Sequence, residues 1–194
     1  MVTKPNPHMH LKYKIAISGA AETSHCGEGV LELAREIGGQ IVLQGGVLVT
    51  GATTGAPYWG AIGAKEAGGF VIGLSPGGSE QEHVKKYHLP LDYHDMIIYT
   101  GFGYSGRNLL LTRSADGVIV VCGRMGTLNE FTIAFEDNKP IGILTNPGWK
   151  TDDIIKNIIE EAHRGNGKVV YDGDPTRLVG KVIELVKKEK VAKV

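Results

Sequence analysis

The chain has 194 residues, and its 21 basic and 21 acidic side chains cancel to a formal net charge of zero. A balanced charge creates no global field that would draw the protein to nucleic acid or to a membrane surface, so we expect no partner of either kind. Two cysteines, and no apolar run near the roughly 18 residues of a membrane span, predict a cytoplasmic protein whose thiols stay reduced.

Residues 1–11 have no hydrophobic periodicity and predict a flexible tail ahead of a single domain that spans residues 12–194. The next part of the chain alternates strands and helices. In chain order these are a strand over 12–18, a helix over 28–44, a strand over 47–50, a helix over 57–67 and a strand over 70–74. Gly38 and Gly39 either weaken the first helix, by roughly 1 kcal/mol each, or split it.

The stretch 79–95 is polar and irregular, with room for one short helix. Alternation then resumes with a strand over 96–99, a helix over 105–115, a strand over 117–121, a helix ending near 137, a strand over 141–144, a helix over 152–162, a strand over 169–171 and a helix over 175–190. Because the strands are apolar throughout, they predict a parallel sheet covered on both faces. The expected fold class is a Rossmann-like, doubly wound α/β fold in three layers.

Three loops that follow predicted strands have few bulky side chains: Gly19–Ala21, Gly101–Gly106 and Gly123–Thr127. Ligands of open parallel sheets bind at the carboxyl ends of the strands, where backbone N–H groups and helix N-termini attract anions. No Gly-Lys-Ser/Thr follows any of these loops, so a Walker motif is excluded. Gly101–Gly106 has the spacing of a dinucleotide fingerprint, but it lies late in the chain and lacks a ribose-binding acid.

Two charged residues near these loops each have two interpretations. Arg107 lies near the start of a predicted helix, where the dipole disfavours a cation. It is therefore either a solvated or salt-bridged arginine, or one that holds an anion at that terminus. Glu130 lies three residues after Thr127, which is the spacing of a capping box. It therefore either caps the helix or is a functional residue next to the loop that follows the most apolar strand.

These residues resemble a motif of the Lonely Guy family, which was long mislabelled as lysine decarboxylases. The family pattern is an Arg, then Ala-Asp, an apolar strand and Pro-Gly-Gly-x-Gly-Thr-x-x-Glu. Here it corresponds to Arg107, Ala115-Asp116, the strand 117–121 and residues 122–130, without a gap. A weaker likeness extends from the first strand to about Leu144.

The resemblance implies a phosphoribohydrolase that cleaves the N-glycosidic bond of nucleoside 5′-monophosphates, with Arg107 and Glu130 as the catalytic pair. It implies no metal, no cofactor, and a homodimer or larger assembly. A carboxylate such as Glu130 can stabilise the positive charge that develops on the ribose. The candidate nucleotide- and phosphate-binding residues are Gly19, Ala20, Gly106, Asn108, Gly123, Arg124, Met125, Gly126 and Thr127.

The chain departs from the family pattern in the motif itself. Cys122-Gly123-Arg124 replaces Pro-Gly-Gly, and Arg124 either adds a phosphate contact or obstructs the site. Arg107-Asn108 replaces Arg-Lys and resembles a subgroup that includes molybdenum-cofactor carriers. The alternative function is therefore a non-catalytic carrier or sensor of a phosphorylated ligand, either a nucleotide or the molybdenum cofactor.

The remaining candidates have simpler structural interpretations. Tyr58 and Trp59 can stack on a base but more often pack beneath a helix. The spacings of three histidines fit no metal-binding pair: His83, His88 and His94. Cys122 ends a buried strand and is expected to fill space as a small apolar side chain.

Overall fold

In the computed structural model, which describes residues 12–165 and 167–190, seven strands form one sheet and six α-helices pack against it. The strands are β1 (Tyr13–Ser18), β2 (Gly46–Thr50), β3 (Val71–Ser75), β4 (Met96–Tyr99), β5 (Gly117–Val120), β6 (Ile141–Leu144) and β7 (Val169–Asp172). The helices are α1 (Val30–Leu43), α2 (Ala56–Glu66), α3 (Gly103–Ser114), α4 (Met125–Glu136), α5 (Thr151–Ala162) and α6 (Pro175–Glu189). The predicted tail, residues 1–11, lies outside the described residues.

The strand order is β4-β3-β2-β1-β5-β6-β7, and every neighbouring pair is parallel. This confirms the predicted Rossmann-like α/β class. The chain winds outward from β1 to β4 in one direction and from β5 to β7 in the other. In register, Ser18 at the end of β1 lies opposite Val120 at the end of β5. The point where the strand order reverses is therefore between these two carboxyl ends.

The two faces of the sheet are covered by different helices. Successive side chains of a strand point to opposite faces. Ile15 and Ile17 of β1 accordingly pack in a core with α1, α2 and α6, whereas Ala16 belongs to the core formed with α3, α4 and α5. Burial on both faces explains why the strands read as continuous apolar runs.

The first helix is continuous through Gly38 and Gly39. A Cβ at Gly38 would overlap the carbonyl of Gly60, and one at Gly63 would overlap the carbonyl of Arg35. Glycine at these positions therefore lets α1 and α2 approach closely. The packing between the helices offsets the propensity cost that made a split helix an alternative.

The polar stretch 79–95 contains one short helix, a π-helical segment over Glu82–Lys86. Two of the histidines hold this stretch to strand ends. The His83 Nδ1 atom lies 2.8 Å from the Ser75 hydroxyl, and the His94 Nε2 atom lies 2.7 Å from the Thr50 hydroxyl. His83 and His94 thus pair with residues that end β3 and β2 rather than with each other.

The expectation of separate, reduced thiols is wrong, because Cys26 and Cys122 form a disulfide. The loop after β1 makes a 3₁₀ turn over Ser24–Cys26 and places Cys26 beside the end of β5. The two cysteines are 96 residues apart, and only the pairing of β1 with β5 makes them neighbours. Cys122 is therefore a cross-link rather than an apolar filler, and the cysteine count no longer indicates a reducing compartment.

Among the described residues, no helix has both the length and the apolar character that crossing a bilayer would need.

Candidate functional site

A pocket of about 290 Å³ opens at the carboxyl edge of the sheet, where the strand order reverses. Its lining comes from the end of β1, from the loops after β1, β2 and β5, from the start of α2 and from the first two turns of α3 and α4. Small-molecule sites of proteins begin at roughly this size. The fold therefore places the pocket where open parallel sheets bind ligands.

Arg107 lies in the second turn of α3 rather than at its start, because the helix begins at Gly103. The residue is only 6% exposed, and its Nε atom has no hydrogen-bond partner among the described residues. A Cβ at Gly51 would overlap the guanidinium, so the glycine after β2 leaves the space that Arg107 occupies. Burial lowers the pKa of Arg107, the Glu130 carboxylate opposes this, and the side chain remains a cation.

Glu130 does not cap its helix. The helix α4 begins at Met125, which places Glu130 in its second turn, and its Oε2 atom accepts a short hydrogen bond from the Ser18 hydroxyl. The Oε1 atom lies 3.8 Å from Arg107 Nη1. Burial raises the pKa of Glu130, although the Arg107 charge and the Ser18 hydrogen bond act in the opposite direction. The capping-box interpretation is therefore wrong.

Asn108 supports the same carboxylate. In one orientation the oxygen of its amide faces only acceptors, so we assign the opposite orientation from its hydrogen bonds. The Asn108 nitrogen then donates to Glu130 Oε1 and to the carbonyl of Tyr104, both at 3.0 Å. Arg107 and Glu130 line the pocket, and we call them, together with the Ser18 that donates to Glu130, the buried wall.

The loop after β5 brings a helix N-terminus to the pocket. The first bond within α4 runs from Leu128 N to Arg124 O at 2.9 Å, so the N–H groups of Met125, Gly126 and Thr127 precede it. Gly126 and Thr127 line the pocket, whereas the Met125 side chain is 77% exposed and does not. Such N–H groups and the helix dipole favour an anion.

Two of the predicted glycines lie outside the pocket lining. The Gly123 N–H donates to Thr151 Oγ1 at 2.9 Å, and a Cβ at Gly123 would overlap Thr127. A Cβ at Gly106 would press on Phe102. Both glycines therefore shape the loops that carry other residues to the pocket.

The loop after β1 contributes Gly19 and Ala20 to the lining, as the sequence predicts. Ala20 is fixed on both sides, because its N–H donates to Cys122 O and its carbonyl accepts from Ala56 N, both at 2.9 Å. The position of this wall thus depends on the ends of β5 and α2. Ala20 presents its surface to the pocket while its backbone polar groups are occupied.

Arg124 lies at the pocket mouth and turns toward the loop after β1. Its Nη2 atom makes a short contact with Glu22, and its Nε atom lies 3.1 Å from His25 Nδ1. The side chains of Arg124 and Glu22 are 57% and 60% exposed. We call Glu22, His25 and Arg124 the rim of the pocket, and this rim joins the loops that follow β1 and β5.

Seven residues that line the pocket are absent from the predicted site: Ile17, Ala21, Glu22, Gly51, Thr53, Pro57 and Tyr104. Ser18, which donates to Glu130, is absent from it as well. A usable signal existed for two of them, since Ser18 ends β1 and Gly51 directly follows β2. The proposed stacking residues lie elsewhere. Tyr58 packs edge-on against Tyr93, with ring centroids 5.5 Å apart, and Trp59 packs against the core.

The chain is similar to proteins of known sequence and structure. A family model described as the SLOG cluster4 family matches residues 12–179. An uncharacterized protein of Archaeoglobus fulgidus is 33% identical over 134 residues, which cover 69% of this chain and 81% of that protein.

Solved structures of molybdenum-cofactor proteins are similar along almost their whole length. The molybdenum cofactor carrier protein of Chlamydomonas reinhardtii is 27% identical with a TM-score of 0.73, and the match covers 91% of this chain and 99% of that one. The molybdenum cofactor binding protein of Rippkaea orientalis is 29% identical with a TM-score of 0.72, covering 92% and 97%. These relatives support a ligand-binding role for the shared fold.

The expectation that excluded nucleic acid is wrong. DNA processing protein A of Helicobacter pylori, whose single-stranded DNA binding is described with its structure, matches with a TM-score of 0.63, covering 89% of this chain and 80% of that one. At 15% identity the match shows a shared fold alone. A net charge of zero therefore does not exclude nucleic acid as a partner, because the fold is compatible with such a partner and local charge governs binding.

Proposed function

The chain belongs to the SLOG cluster4 family, and from this premise we propose that it binds a phosphorylated small molecule without transforming it, as a carrier or sensor. The observation that carries the proposal is Arg107, a buried cation in the pocket lining whose Nε–H has no partner among the described residues. A buried cation is costly unless it is paired, and a phosphate in the pocket would add a counter-charge beside the guanidinium.

The surrounding groups fit the same ligand chemistry. The N–H groups at the start of α4, which include those of Gly126 and Thr127, would hold a phosphate. Gly19 and Ala20 would form another side of the phosphate site. Arg124 at the rim would add a charge-assisted contact by exchanging its partner Glu22 for the ligand.

The molybdenum cofactor, a phosphorylated pterin, is the leading candidate for the cargo. Two similar structures of 27% and 29% identity are described as its carrier or binding protein. The pair Arg107-Asn108, which suggested this subgroup in the sequence, places Asn108 on Glu130.

A second candidate is the phosphoribohydrolase, and Glu130 favours it. This carboxylate lines the pocket beside Arg107 and is oriented by Ser18, as a group that stabilises a developing ribosyl cation would be. The same carboxylate is already held by Ser18 and Asn108 and has a raised pKa, which weakens it as an anion. We therefore rank binding above hydrolysis.

A ligand panel separates the two candidates. Purified protein would be titrated with inorganic phosphate, nucleoside 5′-monophosphates and a phosphorylated pterin, with melting temperature and calorimetry as readouts and chromatography for released base. Arg107→Gln should abolish binding. Arg113 lies on the same helix as Arg107 but is exposed and paired with Asp137, so Arg113→Gln should leave binding intact. Glu130→Gln tests whether turnover needs this carboxylate, and Glu136→Gln, at an exposed glutamate, is its control.

Binding without released base supports the carrier. Base release that Glu130→Gln abolishes and Glu136→Gln retains supports the hydrolase instead. If no phosphorylated compound binds wild type, or if Arg107→Gln binds as well as wild type, the phosphate site is wrong.

The protein is further proposed to form a homodimer through the edge of the sheet at β4. Met96 and Ile98 on this edge strand are 51% and 47% exposed, and Leu109 and Leu110 of α3 are also exposed. An apolar edge strand tends to associate with a second copy. Light scattering should report a dimer that Ile98→Lys dissociates, whereas Leu43→Lys, an exposed leucine at the end of α1, should leave it intact. A monomeric wild type would contradict this assembly.

A further inference from the structure

Three side chains with metal-ligand chemistry converge at the pocket rim: His25, Cys26 and Cys122. One ligand atom from each lies within 4.8 Å of the others. Cys26 and Cys122 are 2% and 1% exposed, while His25 is exposed. The group therefore has a buried sulfur side and an accessible imidazole side. Neither the carrier nor the hydrolase uses it.

We propose that reduction of the Cys26–Cys122 disulfide creates a site for a thiophilic divalent cation, Zn²⁺ in the first place, with His25 as the third ligand. A small-molecule or protein thiol supplies the electrons, so that one disulfide and two thiols give two protein thiols and one external disulfide. Binding of the cation to Cys26 and Cys122 then releases both thiol protons. Two thiolates and one imidazole form a ligand set that zinc prefers.

The distance between the ligand atoms of Cys26 and His25 already suits a tetrahedral ion. The Cys26 Sγ atom lies 3.5 Å from His25 Nε2. Zinc bonds of about 2.3 Å to sulfur and about 2.0–2.1 Å to nitrogen, at a tetrahedral angle, separate the two ligand atoms by about 3.5 Å. Once the sulfur–sulfur bond is broken, the Cys122 sulfur needs to move to about 3.8 Å from that of Cys26 for the same geometry.

The rim supplies a competitor for the imidazole. Arg124 Nε and Nη2 lie 3.1 and 3.0 Å from His25 Nδ1, so Nδ1 accepts and Nε2 carries the proton. Binding of a cation at Nε2 requires the other tautomer, in which Nδ1–H needs an acceptor. Glu22, which shares Arg124 Nη2 with His25, is the neighbouring carboxylate that would accept a hydrogen bond from Nδ1–H once Arg124 withdraws.

Three protein ligands leave a fourth position for water or for a ligand group. Cys122 directly precedes Gly123 at the end of β5, and Glu22 and Arg124 of the same rim line the pocket. The open coordination position would therefore lie at the pocket mouth. The proposal does not depend on which cargo the pocket binds.

The test uses the full chain after reduction with a phosphine and removal of the reductant under nitrogen. Co²⁺ is titrated first, because its thiolate charge-transfer absorption reports sulfur ligation, and Zn²⁺ is then used to displace it. We expect one equivalent per chain in the reduced protein and none at this site in the oxidised protein. Circular dichroism of each variant confirms that it is folded.

Four variants locate the ligands. Cys26→Ser should abolish the charge-transfer band, and His25→Ala should weaken binding on the order of 100-fold. His163→Asn changes an exposed histidine elsewhere and should have no effect. Arg124→Gln should tighten binding several-fold, because it removes both a positive charge and the competing donors.

The proposal is overturned if the reduced wild type takes up no Co²⁺ with a thiolate band. It is also overturned if Cys26→Ser binds as wild type does, or if His25→Ala and His163→Asn bind alike. These results are independent of the phosphate titrations, so a failed metal site and a failed carrier function are told apart.

Discussion

The pocket contains two arginine–glutamate pairs that differ in almost everything except residue type. In the buried wall, Arg107 and Glu130 are 7% and 9% exposed at their side chains and lie 3.8 Å apart. At the rim, Arg124 and Glu22 are more than half exposed and make a short contact. The tighter pair is thus the solvated one, and the looser pair is the buried one.

This difference shows that distance alone does not rank ion pairs. Water screens the rim pair, so its close contact contributes little to folding. The buried pair carries a desolvation cost that is unfavourable unless each charge keeps its partners, and Arg107 Nε still lacks one. We therefore expect the buried wall to govern stability and ligand affinity, and the rim to be free to exchange partners.

The largest effect should come from removing the buried cation. Arg107→Gln leaves the buried Glu130 carboxylate without its counter-charge, and we expect a loss of about 3 kcal/mol in the free energy of unfolding, measured with urea. Arg113→Gln on the same helix is the control and should cost far less, because water screens the pair of Arg113 with Asp137. Equal losses in the two variants would show that burial does not distinguish the pairs.

Filling the space at Gly51 should have the next largest effect. Gly51→Ala places a methyl group on the Arg107 guanidinium, and we expect a loss of about 1–3 kcal/mol together with weaker phosphate binding. Gly39→Ala is the matched control, since its Cβ would lie 3.5 Å from the carbonyl of Gly63 and would favour the helix. Unchanged affinity and stability in Gly51→Ala would show that the guanidinium has room to move.

The pH dependence of stability tests the electrostatics of Glu130. Its pKa is raised in the folded protein, so the folded state binds the proton more tightly than the unfolded state. Wild type should therefore lose stability relative to Glu130→Gln as the pH rises above about 4.5, and the difference should be constant below it. Melting curves of both proteins across this range measure the trend.

Glu136 offers the opposite case for that experiment, because its pKa is lowered by the exposed Arg164. Glu136→Gln should show a flat or reversed trend against pH. If Glu130→Gln instead becomes less stable relative to wild type as the pH rises, the attraction of Arg107 outweighs burial and the direction of the Glu130 shift is wrong.

The smallest effect is expected at the rim. Arg124→Ala should change the free energy of unfolding by less than about 1 kcal/mol, and high salt should remove even that difference. Thermal melts at low and high ionic strength measure it. A loss comparable with that of Arg107→Gln would mean that the rim pair holds the two loops together in the folded state.

Much of the fold could be predicted because each strand and helix carries its own pattern. The predicted strands over 96–99 and 141–144 have the same bounds as β4 and β6 in the structure. Most other predicted bounds differ from the observed ones by one or two residues. The motif spacing also singled out Arg107 and Glu130, which the fold brings to one pocket. Their burial, and the position of each in the second turn of its helix, did not follow from spacing alone.

The sequence by itself determined the alternating α/β order and the glycine-rich loops at strand ends, since both depend on local periodicity and backbone freedom. Only the tertiary structure decided that Ser18 reaches Glu130 across 112 residues, that Gly51 makes room for Arg107, and that Cys26 meets Cys122. The physical reason is the parallel pairing of β1 with both β2 and β5. These pairings bring the loops that follow the three strands to one edge of the sheet, and no local pattern encodes the distance between them.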